Sequence, residues 1–171
     1  MKTRKLAVLA LLIALTAVAT MVIKVPTPAT RGYVNVGDTV IFVSALLFGA
    51  RAGGIAGGIG SALADLLLGY THYVPITLVV KGIEGVLVGG LFGLTRRSVL
   101  SRSGLLLAAP MVLLGGAWMV LGYFTSQIVL YSWGAALSEI PGNTIQAVTS
   151  SIIAMPLTVA LARAGIGRRM L

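Results

Sequence analysis

The sequence predicts an all-α integral membrane protein, a bundle of six transmembrane helices, and three observations predict it. Of 171 residues, 57% are hydrophobic and 10% charged, too few polar side chains to give a soluble domain its surface. The apolar residues fall into runs near the length of about 20 residues that a helix needs to cross a bilayer. The basic residues punctuate those runs, so every connection between them is a separate test of orientation.

The spans expected are Leu6 to Ile23, Val36 to Ala50, Ala52 to Tyr70, Pro75 to Thr95, Leu105 to Tyr131 and Ile140 to Arg163. They use nearly the whole chain as a single membrane domain, residues 1–171, with no room for a soluble one. The first follows Lys2, Arg4 and Lys5 and has the charge pattern of a signal peptide. It is long and lacks a small-residue cleavage site in a polar context, so it reads as a span. The second and third are separated only by Arg51 and its following glycines and form a tight helical hairpin; the fifth is long, with Pro110, Gly115 and Gly116 as candidate kinks.

Lys2, Arg4 and Lys5, then Arg51, then Arg96, Arg97 and Arg102, and finally Arg163, Arg168 and Arg169 all fall on one face of a six-span chain. That face is read as cytoplasmic, with both termini on it. The other carries only Lys24, Arg31 and His72. Five or seven spans would scramble this pattern. The formal charge of +9 does not signal a nucleic-acid partner, because the basic residues are not interleaved with aromatics on a polar face. The absence of cysteine excludes disulfides and thiolate chemistry.

Gly53-xxx-Gly57, Gly54-xxx-Gly58 and Gly85-xxx-Gly89-xxx-Gly93 place small residues along faces of the third and fourth spans. Lipid offers no hydrophobic drive for helix association, so such faces serve close packing, within the chain in preference to a dimer interface. The run from Gly53 to Gly60 is not a phosphate-binding loop, since no Gly-Lys-Ser/Thr follows it.

The acidic residues are Asp38, Asp65, Glu84 and Glu139. With Lys81, they lie in or at the edges of spans, where a charge needs a partner or a wet cavity. At about 1.5 Å per residue, all five fall in the outer half of the membrane, with Glu139 opening the sixth span. Lys81 and Glu84 share a face of the fourth span, and Glu139, Asn143, Gln146 and Ser150 form a stripe on the sixth. Tyr70, Tyr73, Tyr131 and Trp133 stand at outer helix ends. Structural readings compete. Asp38 is best read as a helix cap, Lys81 with Glu84 forms an ion pair on the structural reading, Asp65 ties helices or contacts a ligand, and the aromatics are interfacial anchors taken singly. His72 reads as solvated. For Glu84, Asn143 and Gln146 the pattern favours a polar pocket for a small water-soluble ligand, opening outward with an aromatic rim.

The stretches Gly32-Tyr33-Val34-Asn35-Val36-Gly37-Asp38, Gly60-Ser61-Ala62-Leu63-Ala64-Asp65, Lys81-Gly82-Ile83-Glu84-Gly85 and Pro141-Gly142-Asn143-Thr144-Ile145-Gln146 together resemble the S components of energy-coupling factor (ECF) vitamin transporters. These are membrane subunits that bind the substrate, and the resemblance is to the riboflavin-type or unassigned branch. It implies the six-helix S-component fold, an outward ligand site closed by the first loop, and the cell membrane of a prokaryote as the location. It also implies partners: a transmembrane coupling subunit and two ATPase subunits. Ala10 and Ala14 match the alanine-xxx-alanine pattern by which the first helix docks the coupling subunit, with Ala7 and Ala17 extending the small surface. No nucleotide-binding loop is present, so energy for uphill import would come from those partners.

On this reading the chain is not an enzyme and needs no cofactor or metal. Asn35 and its loop gate the site, Lys81, Glu84, Asn143 and Gln146 contact polar groups of the ligand, and Tyr131 or Trp133 stacks on its ring, with Asp65 included in the site. The ligand is a vitamin or heterocyclic precursor: riboflavin, a thiamine precursor or a pyridoxine-like compound. A self-sufficient secondary transporter is the alternative, although such carriers usually show internal repeats and midplane polar groups. An intramembrane enzyme is disfavoured because the single histidine, His72, lies in a loop.

Overall fold

Each apolar run forms a helix, and the connection after the first forms a small hairpin. In the computed structural model, which describes residues 2–167, the order is α1 (Lys2–Val22), β1 (Lys24–Thr27), β2 (Gly32–Asn35), α2 (Gly37–Phe48), α3 (Ala50–Leu68), α4 (Val74–Leu94), α5 (Arg102–Leu130) and α6 (Trp133–Arg163). Arg168 and Arg169, counted above after the sixth span, lie outside the described residues. Among those residues, α1, α4, α5 and α6 are long and apolar enough to cross a membrane. The 12 residues of α2 reach about 18 Å, short of the roughly 30 Å hydrocarbon core.

Leucine, isoleucine and valine side chains such as Leu66, Val79, Val86, Leu114 and Ile152 stand on the outside of the bundle. They form the surface expected of helices solvated by lipid rather than water. The interior is built from Phe42, Leu46, Val88, Phe92 and Val112.

One residue, Gly49, joins α2 to α3, with φ +93° and ψ −177°, a conformation open only to glycine. The tight hairpin expected between these runs is thus made by a single backbone position. The glycine faces pack within the chain. A β-carbon on Gly57 would lie 2.5 Å from the Lys81 carbonyl oxygen, and one on Gly58 would lie 2.9 Å from that of Leu78. α3 therefore meets α4 backbone to backbone, and Gly85 meets the Gly53 carbonyl from the other side. Gly60 turns toward α1, where a β-carbon would lie 2.7 Å from that of Thr16. Gly85→Ala is expected to cost about 2 kcal/mol or more by overpacking. Gly90→Ala, whose new β-carbon finds its nearest neighbour 4.0 Å away, should be neutral or slightly stabilising. Thermal unfolding of the two variants in detergent checks the contrast.

Two helices differ from the sequence reading. α6 begins at Trp133, seven residues ahead of Ile140, because Ser132 caps it by accepting a hydrogen bond from the Ala135 amide at 3.2 Å. Pro141 and Pro156 then lie inside a continuous helix, and Glu139 sits within it rather than opening it. α5 likewise runs unbroken through Pro110, Gly115 and Gly116. Its glycines serve packing: a β-carbon on Gly116 would lie 2.8 Å from that of Ala147 on α6.

In β1 and β2, Lys24 pairs with Asn35 and Thr27 with Gly32, antiparallel. The hairpin folds onto one end of the bundle. At the other end, Leu46 and Leu47 of α2 share a cavity wall with Phe92 of α4, Arg96, Arg97 and Ala162 of α6.

Candidate substrate-binding site

Beneath the hairpin, α1, α3, α4, α5 and α6 enclose a cavity whose lining includes Asn35, Asp65, Lys81, Asn143 and Gln146. Its volume is about 30 Å³, room for one or two water molecules. The polar wall arises from helical spacing. Ser61 and Asp65 on α3, Thr77 and Lys81 on α4, Tyr123 and Gln127 on α5, and Glu139 and Asn143 on α6 all line it, each pair four residues apart and so on one helix face.

The hairpin is latched over this space from α3, from α6 and from Tyr73 just ahead of α4. Tyr33 donates from its hydroxyl to Asp65 Oδ1 at 2.6 Å, Tyr73 donates to the Thr30 carbonyl at 3.1 Å, and the Asn35 amide donates to Gln146 Oε1 at 2.7 Å. Burial, with Asp65 beside it, holds the Tyr33 phenol above its ordinary range, in keeping with its role as a donor. Asn35 also orders the chain behind the hairpin, accepting from the Gly37 amide at 2.8 Å.

Below the cavity floor lies a buried charge cluster. Lys81 pairs with Asp38, and its Nζ is 3.3 Å from Glu84 Oε2. Gln146 donates from Nε2 to Asp38 Oδ2 at 2.8 Å, tying the cluster to the hairpin through the same amide that receives Asn35. The Lys81 ammonium also lies 5.7 Å from the centre of the Tyr123 ring, within cation–π range. Two carboxylates and one ammonium leave a formal charge of −1, sealed from solvent: Asp38 and Glu84 are 0% exposed and Lys81 2%.

Several expected site residues therefore meet and others do not. Asn35, Asp65, Lys81, Asn143 and Gln146 line one cavity. Glu84 is not among the lining residues, and neither of its carboxylate oxygens makes a hydrogen bond; it stands behind Lys81, one turn deeper on α4. Tyr131 and Trp133 also lie outside the lining. Tyr131 hydrogen-bonds His72 at 3.0 Å, and Trp133 is 61% exposed and packs edge-on against Phe124, because the early start of α6 carries it to the bundle exterior. Asp38 is not the cap it was expected to be. Its carboxylate makes no cap hydrogen bond to α2, whose first amide, Gly37, is met by Asn35, and turns inward to Lys81 and Gln146. On α1, Ala7, Ala10 and Ala14 are exposed, whereas Ala17 is buried inside the bundle and adds nothing to that outer surface.

Comparison with known proteins places this architecture. The sequence profile described as ECF-type riboflavin transporter, S component, matches residues 1–163. The chain belongs to the ECF S-component family. This S component is 31% identical to the thiamine precursor transporter HmpT of Lactococcus lactis over 164 residues, 95% of this chain and 90% of that one. It is 44% identical to an uncharacterised Pyrococcus woesei protein over 136 residues, 80% of this chain and 86% of the other. The S component is accordingly a multi-pass membrane protein with the substrate-binding role of a vitamin transporter, and the family and relative point to transport rather than catalysis.

Reading the sequence of the S component for charge alone misses Tyr123 and Gln127, both of which line the cavity. Their four-residue spacing within an apolar run was the available signal. Tyr33 and Tyr73, taken singly, look like interfacial aromatics, and their role as latches depends on a hairpin that local composition does not announce.

Proposed function

We infer that this S component captures, on the outer face, a small single-ring heterocycle bearing amino or ring N–H donors, of the thiamine-precursor kind. The observation that carries this reading is Asp65. One of its carboxylate oxygens holds the lid through Tyr33, while the other, Oδ2, is buried without any hydrogen-bond partner in a residue that lines the cavity. A buried acceptor left unsatisfied is costly, and a ligand donor relieves that cost. Glu139, Asn143 and Gln127 add further acceptors around it, and the rings of Tyr33, Tyr73 and Tyr123 supply apolar faces. The thiamine precursor transport of the Lactococcus lactis relative supports this class over a three-ring flavin, which also demands the larger opening of a cavity now about 30 Å³.

In this account Asn35 and the hairpin gate entry, Asp65, Asn143 and Gln146 meet polar groups of the ligand, and Lys81 shapes the floor with Glu84 behind it. The six helices form one membrane domain, in which the chain between α1 and α3 crosses as the hairpin and the short α2 together. Both termini and the basic connections face the cytoplasm. A coupling subunit and two ATPases supply the energy, and Ala10 and Ala14, exposed on α1 beside Leu11 and Leu15, present the docking face.

Uptake into liposomes tests this assignment. The chain alone, with an ion gradient, should move no ligand, and adding the coupling and ATPase subunits should give ATP-dependent uptake. Ala10→Leu with Ala14→Leu should abolish that uptake while leaving ligand affinity within about twofold, well under 1 kcal/mol. Gradient-driven uptake by the chain alone would establish a secondary carrier instead.

A further inference from the structure

A second cavity opens at the end of the bundle away from the hairpin, and it is much the larger, about 470 Å³. Its floor is apolar: Leu46 and Leu47 of α2, Phe92 of α4 and Val99 all line it and are each less than 10% exposed. Arg96 and Arg97 line the same space, and both are exposed. The combination of a greasy floor and a guanidinium rim at a helix end is amphipathic in the manner of a lipid rather than of a soluble metabolite.

The rim has no side-chain counter-ion within the protein. The sequence contains four acidic residues. Asp65 and Glu139 line the outer cavity, and Asp38 and Glu84 are committed to Lys81. Glu84, the nearest of them to the arginines along α4, precedes Arg96 by twelve positions, a rise of roughly 18 Å, so none of these carboxylates reaches the arginines. The C-termini of α2, α4 and α6 converge here and each contributes roughly half a negative charge. Three arginines, Arg96, Arg97 and Arg163, oppose them, which leaves this end net positive.

The backbone at Arg96 points the same way. It follows the Thr95 cap of α4 with φ +51°, the left-handed conformation in which helices usually place glycine. An arginine there is unfavourable for the backbone, and the side chain gains a place on the cavity rim. Strain of this kind concentrates at functional positions.

We propose that this inner cavity is a binding site for one anionic glycerophospholipid, with the phosphate held by Arg96 and Arg97 and the upper part of an acyl chain lying over Leu46, Leu47, Phe92 and Val99. The occupant is a lipid rather than a free phosphate because a small soluble anion would leave the apolar floor exposed to water. Bidentate guanidinium contacts suit a phosphate. The site is independent of the outer cavity and of the ligand assigned to it.

The test is native mass spectrometry of the full-length protein, purified in a neutral detergent and titrated with phosphatidylglycerol, with phosphatidylcholine, or with phosphatidylglycerol in the presence of inorganic phosphate. One phosphatidylglycerol per chain should bind at least tenfold more tightly than phosphatidylcholine. Arg96→Gly combined with Arg97→Gln should weaken it at least tenfold, and Arg51→Gln should leave it unchanged. Arg96→Gly removes the left-handed strain, so the unfolding temperature of lipid-free protein should not fall; Arg97→Gln alone, expected to weaken binding severalfold, provides a second variant. Equal retention of the two lipids, or undiminished retention by the double variant, would overturn the site. Displacement by inorganic phosphate at lipid-like concentrations would overturn the lipid assignment in favour of a soluble anion.

Discussion

Lys81→Met is expected to destabilise the protein by about 3–5 kcal/mol, the cost of breaking a buried ion pair by removing one partner. The ammonium is the only cation among the described residues within salt-bridge distance of either Asp38 or Glu84. Both carboxylates are 0% exposed, so neither can turn to water when the partner is lost. Asp38 would keep its bond from Gln146, while Glu84, neither of whose oxygens has another hydrogen-bond partner, would keep nothing. The triple variant Lys81→Met, Asp38→Asn, Glu84→Gln removes the charges together and should recover much of the loss. Unfolding in detergent measures both. A Lys81→Met protein as stable as the wild type would mean that water reaches the cluster.

The second large effect is on binding. Asp65→Asn should weaken ligand affinity roughly a hundredfold, about 2.7 kcal/mol, the upper part of the range for a hydrogen bond to a charged group. The substitution keeps the shape of the side chain but replaces the open acceptor Oδ2 with an amide that need not accept. Tyr33→Phe removes the latch to Oδ1 of the same carboxylate and leaves the open acceptor Oδ2 in place for the ligand. That variant should therefore bind no more weakly than the wild type. Calorimetric titration distinguishes the two: parallel losses in both variants would assign Asp65 to holding the lid and not to the ligand.

The helices were legible because each is written redundantly, as an apolar run bounded by basic or turn residues. The structure departs from the sequence pattern where a single local feature stands alone. The sixth apolar run reads as starting at Ile140 with Glu139 opening it, yet Ser132 caps the helix earlier and the chain stays helical through Pro141. Asp38 at the start of α2 looked like a cap by position, and only the approach of α4 reveals Lys81 as its partner. The polar stripe of α6 was legible as a pattern, and Asn143 and Gln146 meet Asp65 and Lys81 in one cavity. Tyr131 and Trp133 could not be placed from sequence, because an aromatic at a helix end faces the lid or the lipid depending on the rotation of the helix. The hairpin carries no such local signal: its four paired positions include a proline, and its latches come from residues 32 to 111 positions away.

Titration of the purified protein with an aminopyrimidine precursor of thiamine and, separately, with riboflavin tests the central claim most directly. One aminopyrimidine per chain, bound at submicromolar concentration and at least a hundredfold more tightly than riboflavin, about 2.7 kcal/mol, is the result expected of a small cavity built around an unsatisfied carboxylate. Riboflavin bound more tightly, or no binding of either, would contradict it.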